Sequence, residues 1–413
     1  FWLCQECRAG ADMWINALIA VSVIFLFLLL FPLGYLIVLA VGAIRSASPP
    51  DLRSRTPSTR FVIVIPAHNE TSVISATVSR LLAIDYPSHL FSIHIIADHC
   101  SDDTAQAARN AGAIVHERNV GPRSGKGAAL SWLLNRMLGA EQCDAIVIFD
   151  ADTRVDSEFL RVMDWRLAMG DEVIQGQHII RNPNQGWFPA LTWAMFLIDN
   201  RFQNLGRSNL GWSAKNMGDS ICFRADILRH LGWGEGLTED YHLRHKLLLH
   251  GTRIVYEPAA MGFGEAPLTW IQAQAQRARW LRGTRDASQQ HVKLLFLEGL
   301  QRRNLALLDG ALQASLPSYS TLSLLSLIVL GIQVAIDFFI MPVFPRPLLV
   351  AWATVVAALL VYPLFGLALE RAPIRAYIAI LLGPYFIVWR TWLAFISRFG
   401  RKQITWIRTE HGK

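Results

Sequence analysis

The sequence has few cysteines and no pattern that would make them a scaffold. Its 413 residues include 5 cysteines, an odd and scattered set, which argues against a disulfide framework. Cys4 and Cys7 form one CxxC pair, but no second pair follows it, so a zinc or redox role for this pair is not favoured. The sequence also lacks internal repeats and low-complexity tracts, which excludes solenoid and fibrous proteins.

Basic residues outnumber acidic ones, yet no long basic block is present. The formal net charge of +7 is compatible with nucleic acid, anionic lipid or an anionic small substrate as a partner. This placement of charge favours a membrane over nucleic acid, because the basic residues flank apolar runs. They are Arg45, Arg53, Arg55 and Arg60 on one side of the middle segment, and Arg390, Arg398, Arg401 and Lys402 on the other.

Charge is absent from several long stretches. Residues 17–44, 317–336 and 347–369 carry none and are long enough to span a bilayer. A shorter run, 376–389, contains Gly383–Pro384 and is either a spanning helix continued through Ile396 or a re-entrant segment. We expect a short tail over 1–16, a transmembrane helix over 17–44, a linker over 45–59, amphipathic interface helices over 266–316, two or three membrane helices over 317–397 and a basic tail over 398–413.

The middle of the chain alternates short buried strands with helices. Helical stretches such as 71–83 and 102–111 separate apolar runs that are rich in β-branched residues. The candidate strands are Phe61–Ile65, Ile93–Ala97 and Ala145–Phe149. This alternation predicts an α/β domain with a largely parallel sheet over 60–265. Ligands bind at the carboxyl ends of such strands, so the residues after each strand are candidates for a site.

Acids and amides follow each candidate strand. Acids alone would repel a phosphate, so the set implies a metal ion, and Mg²⁺ or Mn²⁺ commonly binds through one or two carboxylates plus substrate phosphates. An isolated pair such as Asp150 and Asp152 is better explained as a cap of the next helix or turn, but the other strand ends favour metal binding. The strand-end residues are Pro66, Asn69 and Glu70, then Asp98, then Asp150 and Asp152.

The segment GPRSGKG over 121–127 has only part of a P-loop. Three residues separate its first two glycines where a P-loop has four, and Gly127 replaces the hydroxyl residue that would hold Mg²⁺. An ATPase is therefore not favoured. Lys126 at a helix start is a candidate contact for a diphosphate, and the alternative is a plain loop with an exposed lysine.

Thr238, Glu239 and Asp240 precede a predicted helix over Tyr241–His250. The triplet alone is explained by helix capping and by the helix dipole. In the functional interpretation Asp240 is a general base that deprotonates an acceptor hydroxyl. The helix dipole would lower the pKa of Asp240, whereas burial and Glu239 would raise it, and the sequence leaves this balance open.

The sequence QRARW at 276–280 lies in the amphipathic segment. An interfacial helix could carry these residues for lipid contact alone. In the functional interpretation arginine binds a diphosphate with its bidentate fork, and tryptophan packs against a sugar ring.

The ordered set of motifs resembles the family 2 membrane glycosyltransferases, which include cellulose synthase, hyaluronan synthase and poly-N-acetylglucosamine synthase. The similarity covers about 60–285, and the flanking helices agree in arrangement. The motifs are IPAHNE at the first strand end, Asp98, GKG at 125–127, the Asp150/Asp152 pair, Thr238-Glu239-Asp240 and QRARW.

The resemblance implies a GT-A fold and a UDP-sugar donor. It places Asp98 on the uracil or ribose, and Asp150 and Asp152 on the nucleotide and the metal. It implies that Asp240, beside Glu239, is the catalytic base. The remaining expected contacts are Pro66, Asn69, Glu70, Lys126, Gln276 and Arg279 for the donor, and Trp280, Asp219 and Ser220 for the acceptor.

We therefore expect an inverting glycosyltransferase that moves a sugar from a UDP-sugar to a growing polysaccharide or a lipid-linked acceptor. Membrane lipid and an accessory export subunit are the other expected partners, and nucleic acid is not. Because arginines follow the first apolar run, the middle domain is predicted to be cytosolic in a multi-pass protein of the inner membrane.

The function, the presence of a polymer channel and the position of the C-terminus stay open. The alternative functions are a non-processive glycolipid glycosyltransferase, similar to ceramide glucosyltransferase, and more distantly an ATP-driven membrane transporter. The chain has fewer apolar runs than cellulose or hyaluronan synthases, which argues against a self-contained polymer channel. The basic tail predicts that Lys413 is cytosolic, with 376–396 as a re-entrant or interfacial segment.

Overall fold

The computed structural model describes residues 5–399, apart from 53–54, 140–142, 235 and 237. Cys4, Lys413 and the rest of the basic tail from residue 400 onward lie outside the described residues. The predictions for the CxxC pair and for the side of the membrane on which the tail lies therefore stay predictions.

A mixed sheet of eight strands lies at the centre of the described middle segment, in the order β3-β2-β1-β4-β7-β6-β8-β5. Strands β1 to β4 are parallel to one another, β6 is parallel to β8, and β7 and β5 run antiparallel to their neighbours. The predicted α/β fold with a largely parallel sheet is confirmed. The strands are β1 Phe61–Ala67, β2 Phe91–Asp98, β3 Ile114–Arg118, β4 Ala145–Ile148, β5 Arg154–Val155, β6 Val173–Ile180, β7 Ile221–Arg224 and β8 Ile254–Gly264.

Helices cover both faces of this sheet. A long helix, α1 (Gln5–Gly42), precedes the sheet, and a π-helical segment, Asn200–Gly206, joins α6 to α7. The helices between the strands are α2 Thr71–Leu82, α3 Thr104–Asn110, α4 Lys126–Met137, α5 Phe159–Ala168, α6 Trp187–Asp199, α7 Arg207–Asn209, α8 Ala225–Leu231 and α9 Glu239–His250.

The apolar runs are continuous because both faces of the sheet are buried. Along β1, Val62 and Val64 join one core with side chains of α4 and α9, whereas Ile63 and Ile65 join the opposite core with α2 and α5. This is the two-residue alternation of a strand with packed layers on both sides.

The antiparallel strand β7 decides what reaches the carboxyl edge of the parallel strands. It lies between β4 and β6, and Ile148 at the end of β4 pairs with Ile221 at the start of β7. The residues just before β7 therefore lie beside the residues just after β4. Strand β6 runs antiparallel to β7, so its carboxyl end reaches the same edge.

The helices that follow the sheet are long and largely apolar. They are α10 Trp270–Gln301, α11 Leu305–Ser315, α12 Tyr319–Phe339, α13 Arg346–Leu369, α14 Ile374–Ile380 and α15 Gly383–Phe399. Among the described residues, three segments are long and apolar enough to cross a membrane: Met13–Gly42, α12 and α13. Helices α14 and α15 meet at a bend of 50° and would be a fourth if they form one broken span. The break between them lies at residues 381–382, directly before the Gly383–Pro384 step where the sequence predicted it.

Candidate active site

The loops after β1 and β2 are tied together at the carboxyl edge of the sheet. Asn69 donates a hydrogen bond from Nδ2 to Ser101 Oγ over 3.0 Å and accepts one from the Ser101 N–H over 2.8 Å. His68 Nδ1 lies 2.7 Å from the carbonyl oxygen of Asp98. Asn69 and His99 adopt left-handed backbones, with φ of 56° and 50°, a strain that often marks functional loops. The first two predicted strand ends thus form one rim.

Pro66 and Glu70 belong to this rim but face the protein. Pro66 lies within β1 and pairs with Ile96 of β2. Glu70 is buried, and its backbone N–H donates to Thr104 Oγ1 over 2.8 Å. Their predicted contacts with the donor stay predictions, and the geometry indicates that Glu70 supports the rim.

Asp98 is buried within a short polar network. Its Oδ1 accepts a hydrogen bond of 2.5 Å from Arg118 at the end of β3 and lies 2.9 Å from His99 Nδ1. Arg118 also donates to the carbonyl of Pro122 over 3.1 Å, and His99 Nε2 lies 2.9 Å from the carbonyl of Gly121. Asp98 therefore fixes the glycine-rich loop over 121–125 beside the second strand end.

Asp150 and Asp152 lie in the turn after β4, as predicted. The backbone N–H of Asp150 donates to Asp219 Oδ1 over 3.0 Å, and Thr153 Oγ1 donates to the same oxygen over 3.0 Å. The side chain of Asp150 is 45% exposed. Asp219 thus holds the backbone of this aspartate turn and leaves the carboxylate of Asp150 accessible to a ligand.

Asp219 itself is buried, and both of its carboxylate oxygens have hydrogen-bond partners. Its Oδ2 lies 2.8 Å from His178 Nδ1 and accepts a hydrogen bond from Ser220 Oγ over 3.1 Å. Burial alone would raise the pKa of Asp219, but His178 outweighs burial and the pKa lies below its ordinary value. Burial would lower the pKa of His178, and Asp219 outweighs it in turn. The acceptor role predicted for Asp219 and Ser220 stays a prediction, whereas these contacts indicate support of the aspartate turn.

Lys126 begins α4 and joins the aspartate turn to the loop before β7. Its Nζ forms a salt bridge with Asp150 and donates to the carbonyl of Gly218 over 2.5 Å. Burial lowers the pKa of Lys126, but attraction to Asp150 and Asp219 outweighs burial and the pKa is raised. Lys126 is thus a fixed positive charge at the site rather than an exposed loop lysine.

Glu239 and Asp240 begin α9, which ends before Gly251 in a left-handed conformation with φ of 97°. Burial raises the pKa of Asp240, although the backbone N–H of Tyr241 and the charge of Lys126 oppose the shift. Burial and then the charge of Asp240 raise the pKa of Glu239 to about 7. In the balance that the sequence left open, desolvation outweighs the helix terminus, which is the direction that a general base at neutral pH requires.

Two glycines allow the loop before β7 and the start of α4 to approach this acidic pair closely. A methyl group at Gly218 would lie 3.2 Å from Asp240 Oδ2, and one at Gly127 would lie 2.7 Å from Glu239 Cγ. The loop before β7 and the start of α4 therefore pack directly against Asp240 and Glu239. No larger side chain fits at Gly127 without moving Glu239.

Helix α10 brings the QRARW motif to the same cluster of charges. Gln276, Arg279 and Trp280 are half-buried and lie on one face of the helix, because residues three and four apart are neighbours. Burial lowers the pKa of Arg279, and attraction to Glu239 and then Asp150 opposes this. The two cations Lys126 and Arg279 thus stand among the carboxylates of the site.

The sequence missed two residues of this network, Arg118 and His178. Each lies at or near the carboxyl end of a strand, Arg118 in β3 and His178 in β6. The rule that found Asp98 and Asp150 would have found Arg118, the last residue of β3, had that strand been assigned, whereas His178 lies within β6 and the rule does not reach it.

The chemistry of the aspartate turn fits a divalent cation. Asp150 and Asp152 offer carboxylate oxygens within one turn, the ligand type that Mg²⁺ and Mn²⁺ prefer. No group of three or more His, Cys, Asp or Glu side chains forms a metal cage within the described part of the chain.

A mostly parallel α/β sheet, an aspartate turn with a bound lysine and an adjacent acidic pair together point to a sugar-transferring enzyme. The chain belongs to the family described as glycosyltransferase like family 2, which matches residues 57–283, more than half of the chain. The match runs from just before β1 into α10 and includes every residue of the cluster. The resemblance seen in the sequence is confirmed, and the ATP-driven transporter is not supported.

Three relatives of this chain share 27% to 29% sequence identity with it. The chain is 28% identical over 259 residues to a probable glycosyltransferase, YdaM, of Bacillus subtilis, covering 57% of this chain and 56% of that one. It is 29% identical over 231 residues to a beta-monoglucosyldiacylglycerol synthase of Trichormus variabilis, covering 54% and 48%. It is 27% identical over 279 residues to a poly-beta-1,6-N-acetyl-D-glucosamine synthase of Staphylococcus aureus, covering 63% and 65%. The chain thus spans about half to two thirds of the length of these relatives.

A solved structure with the same fold is a mannosyltransferase from Pyrobaculum calidifontis, determined in complex with GDP-Man and Mn²⁺. The superposition has a TM-score of 0.53 at 17% identity and covers 86% of this chain and 99% of that one. The predicted GT-A fold is therefore confirmed.

Proposed function

We propose that this chain transfers a sugar from a nucleoside diphosphate sugar, a UDP-sugar by its resemblance, to a hydroxyl of a growing polysaccharide or of a lipid-linked acceptor, with inversion. One observation carries the proposal. Lys126 bridges Asp150 and the Gly218 carbonyl, and Gly218 packs against Asp240. The donor side and the candidate base therefore meet in one cluster.

On the donor side, the rim at Asn69 and the buried Asp98 would receive the nucleoside. Lys126 and Arg279 lie among carboxylates and would turn to the diphosphate oxygens when the donor binds, because arginine and lysine both bind phosphate strongly. Mg²⁺ or Mn²⁺ held by Asp150 and Asp152 would supply charge neutralisation for the leaving diphosphate. The Mn²⁺ bound by the Pyrobaculum calidifontis mannosyltransferase supports this ion.

On the acceptor side, Asp240 would take the proton of the attacking hydroxyl. The hydroxyl oxygen forms a bond to the anomeric carbon as the bond from that carbon to the diphosphate oxygen breaks. The nucleoside diphosphate leaves with the electron pair, so an α-linked donor gives a β-linked product in one displacement. Trp280, on the same face of α10 as Arg279, is placed to pack against the acceptor sugar.

We place the catalytic domain on the cytosolic side of the inner membrane, in a multi-pass protein. The apolar segment Met13–Gly42 is followed by Arg45, Arg55 and Arg60, and such a bias favours the cytosolic side for the residues that follow. Helices α12 and α13 supply further candidate spans.

The proposal has two forms, which differ in whether the acceptor is a growing polymer or a lipid. The poly-beta-1,6-N-acetyl-D-glucosamine synthase relative favours a polymer, for which an accessory export subunit would be a partner. The beta-monoglucosyldiacylglycerol synthase relative favours a single transfer to a lipid. Product length on a gel distinguishes them, since a polymerase gives a ladder and a single transfer gives one band.

The decisive experiment is a donor screen with the full chain purified in detergent. Release of nucleoside diphosphate is measured for a series of UDP-sugars and for GDP-mannose, with membrane lipid extract as acceptor. We expect turnover with one UDP-sugar and loss of turnover in Asp240→Asn. A surface variant of similar chemistry, Asp286→Asn on the exposed side of α10, is expected to keep turnover. Turnover with GDP-mannose alone would refute the UDP assignment, and no turnover with any donor would refute the proposal.

A further inference from the structure

A second group of cations lies between α6, α10 and α15, and one of its members, Arg277, belongs to the QRARW motif. Arg277 of α10 lies with its guanidinium carbon 5.2 Å from the ring centre of Trp280 and 5.5 Å from that of Phe386 in α15. Arg390 of α15 is near enough to Arg277 to repel it electrostatically. We call Arg277 and Arg390 the arginine pair.

Little negative charge lies near the arginine pair. Asp199 at the end of α6 is the carboxylate that attracts both arginines. It is already bound to Lys215, whose Nζ lies 2.7 and 2.8 Å from its two oxygens. Three cations therefore share one carboxylate, and neither guanidinium of the arginine pair forms a salt bridge within the described part of the chain.

The arginine pair is also poorly hydrated. The Nε of Arg277 is buried and has no hydrogen-bond partner among the described residues. Burial, followed by the charge of Arg390, lowers the pKa of Arg277 to about 9, so the side chain is still charged at neutral pH. Both arginines are half-buried and have no salt-bridge partner among the described residues, so an anion that enters between the two guanidiniums would be favoured.

A plainer explanation is that the two arginines extend to lipid headgroups at the membrane surface. The contacts of Arg277 argue against it, because Trp280 and Phe386 hold its guanidinium inward. Phe386 belongs to a buried cluster with Phe188, Leu191, Ala273, Trp389 and Leu393, which closes the far side.

We propose that the arginine pair binds the phosphate of an anionic lipid on the acceptor side of the active site. Arg277 precedes Arg279 by two residues and Trp280 by three, which is about 3 to 5 Å along the helix axis. A phosphate held there would lie within a helical turn of the residues placed at the diphosphate and the acceptor sugar. Helices α14 and α15, a candidate broken span, would lead the acyl chains to this point. This inference rests on the proposed function, since it names the acceptor as a phosphate-bearing lipid.

The test is equilibrium binding of radiolabelled phosphatidylglycerol to the full chain in neutral detergent. We expect saturable binding that Arg277→Gln and Arg390→Gln each weaken by about 10- to 100-fold, the effect of losing a charge-assisted hydrogen bond. Arg277→Lys should keep part of the affinity because it keeps the charge. Arg285→Gln, an exposed arginine on α10, is the matched control and should bind as the unaltered chain does.

Two further arms separate the outcomes. Inorganic phosphate at millimolar concentration should displace the lipid only weakly, and full displacement would show a site for free phosphate instead. Equal affinity for phosphatidylcholine, or unchanged binding in both arginine variants, would overturn the inference. Binding of nucleoside diphosphate, measured in parallel, shows that each variant is folded. It also keeps a failure of this inference distinct from a failure of the proposed transferase activity.

Discussion

The buried carboxylate of Asp309 allows a direct test of how the long apolar helix α1 is held to the helices around the sheet. Its Oδ1 accepts a hydrogen bond of 2.7 Å from Tyr35 Oη in α1, and its Oδ2 accepts one of 2.9 Å from Arg207 Nε at the start of α7. Arg244 of α9, one turn after Asp240, lies 3.5 Å from the same Oδ2. The side chains of Asp309, Arg207 and Arg244 are 0% exposed. One carboxylate thus joins α1, α7, α9 and α11.

We predict that Asp309→Asn strongly destabilises the chain. The substitution keeps the volume, so no cavity contributes, but it leaves two buried guanidiniums without their shared counter-charge. Removing one partner of a buried ion pair costs about 3 to 5 kcal/mol. At about 2 °C per kcal/mol, a value suited to long chains, the unfolding temperature should fall by about 6 to 10 °C.

The assay is thermal unfolding in the detergent in which the unaltered chain is active. Asp286→Asn, the same substitution at an exposed position, should change the stability by no more than about 0.5 kcal/mol. Adding Arg207→Met to Asp309→Asn removes one of the unpaired charges, so the double variant should be more stable than the sum of the single changes predicts. A shift for Asp309→Asn no larger than that of Asp286→Asn would show that the network adds nothing.

Three further predictions concern the active site. Excess chelator should abolish turnover and Mg²⁺ or Mn²⁺ should restore it, and Asp152→Asn should remove nearly all turnover; full activity with chelator present would contradict the metal assignment. Asp240→Asn should lower turnover by about 10²- to 10⁴-fold while donor affinity, measured by equilibrium binding, is kept; loss of donor binding would show a different role. Because the pKa of Asp240 is raised and that of Glu239 is about 7, turnover should rise with pH toward neutrality as the base loses its proton. Glu239→Gln removes a neighbouring negative charge, so the rising limb of the pH profile should move to lower pH, and an unchanged profile would show that the two groups are not coupled.

The same pKa shift has a consequence for folding. Glu239 has a folded pKa of about 7 against an ordinary value of 4.5. Between these values the folded chain binds more protons than the unfolded chain, so this group makes folding stability fall as pH rises through that window.

The sequence was sufficient wherever a local pattern decides the structure. Apolar runs predicted β1, β2 and β4, and the structure extends β1 to Ala67 and β2 to Phe91–Asp98. Residues that follow such strands share an edge by the geometry of parallel sheets, so the positions of Asp98 and Asp150 at that edge could be predicted in advance. The break before Gly383 was likewise readable, because the step Gly383–Pro384 disfavours a continuous helix.

The sequence did not predict those features that depend on pairing between residues far apart in the chain. The four residues of β7 carry no signal of direction, yet their antiparallel pairing with β4 brings Asp219 under the aspartate turn. Arg207 and Asp309 are separated by 102 positions, and no local rule pairs two charges that far apart. His178 was missed for the same reason, since it acquires its partner only through the order of β6 and β7.

The reversed strand β7 also explains how one short segment can position both the aspartate turn and Asp240. The carbonyl of Gly218 accepts a hydrogen bond from Lys126, and Gly218 packs against Asp240. The next residue, Asp219, accepts a hydrogen bond from the backbone N–H of Asp150 and so fixes its position. A shift of β7 by one residue would turn every side chain to the opposite face, so register fixes both contacts together. The spacing between the aspartate turn and Asp240, the proposed base, is thereby held by the loop that enters β7, whose position the register of the sheet fixes. Displacement at an anomeric carbon needs this, because a misplacement of about 1 Å can cost about 10²-fold in rate.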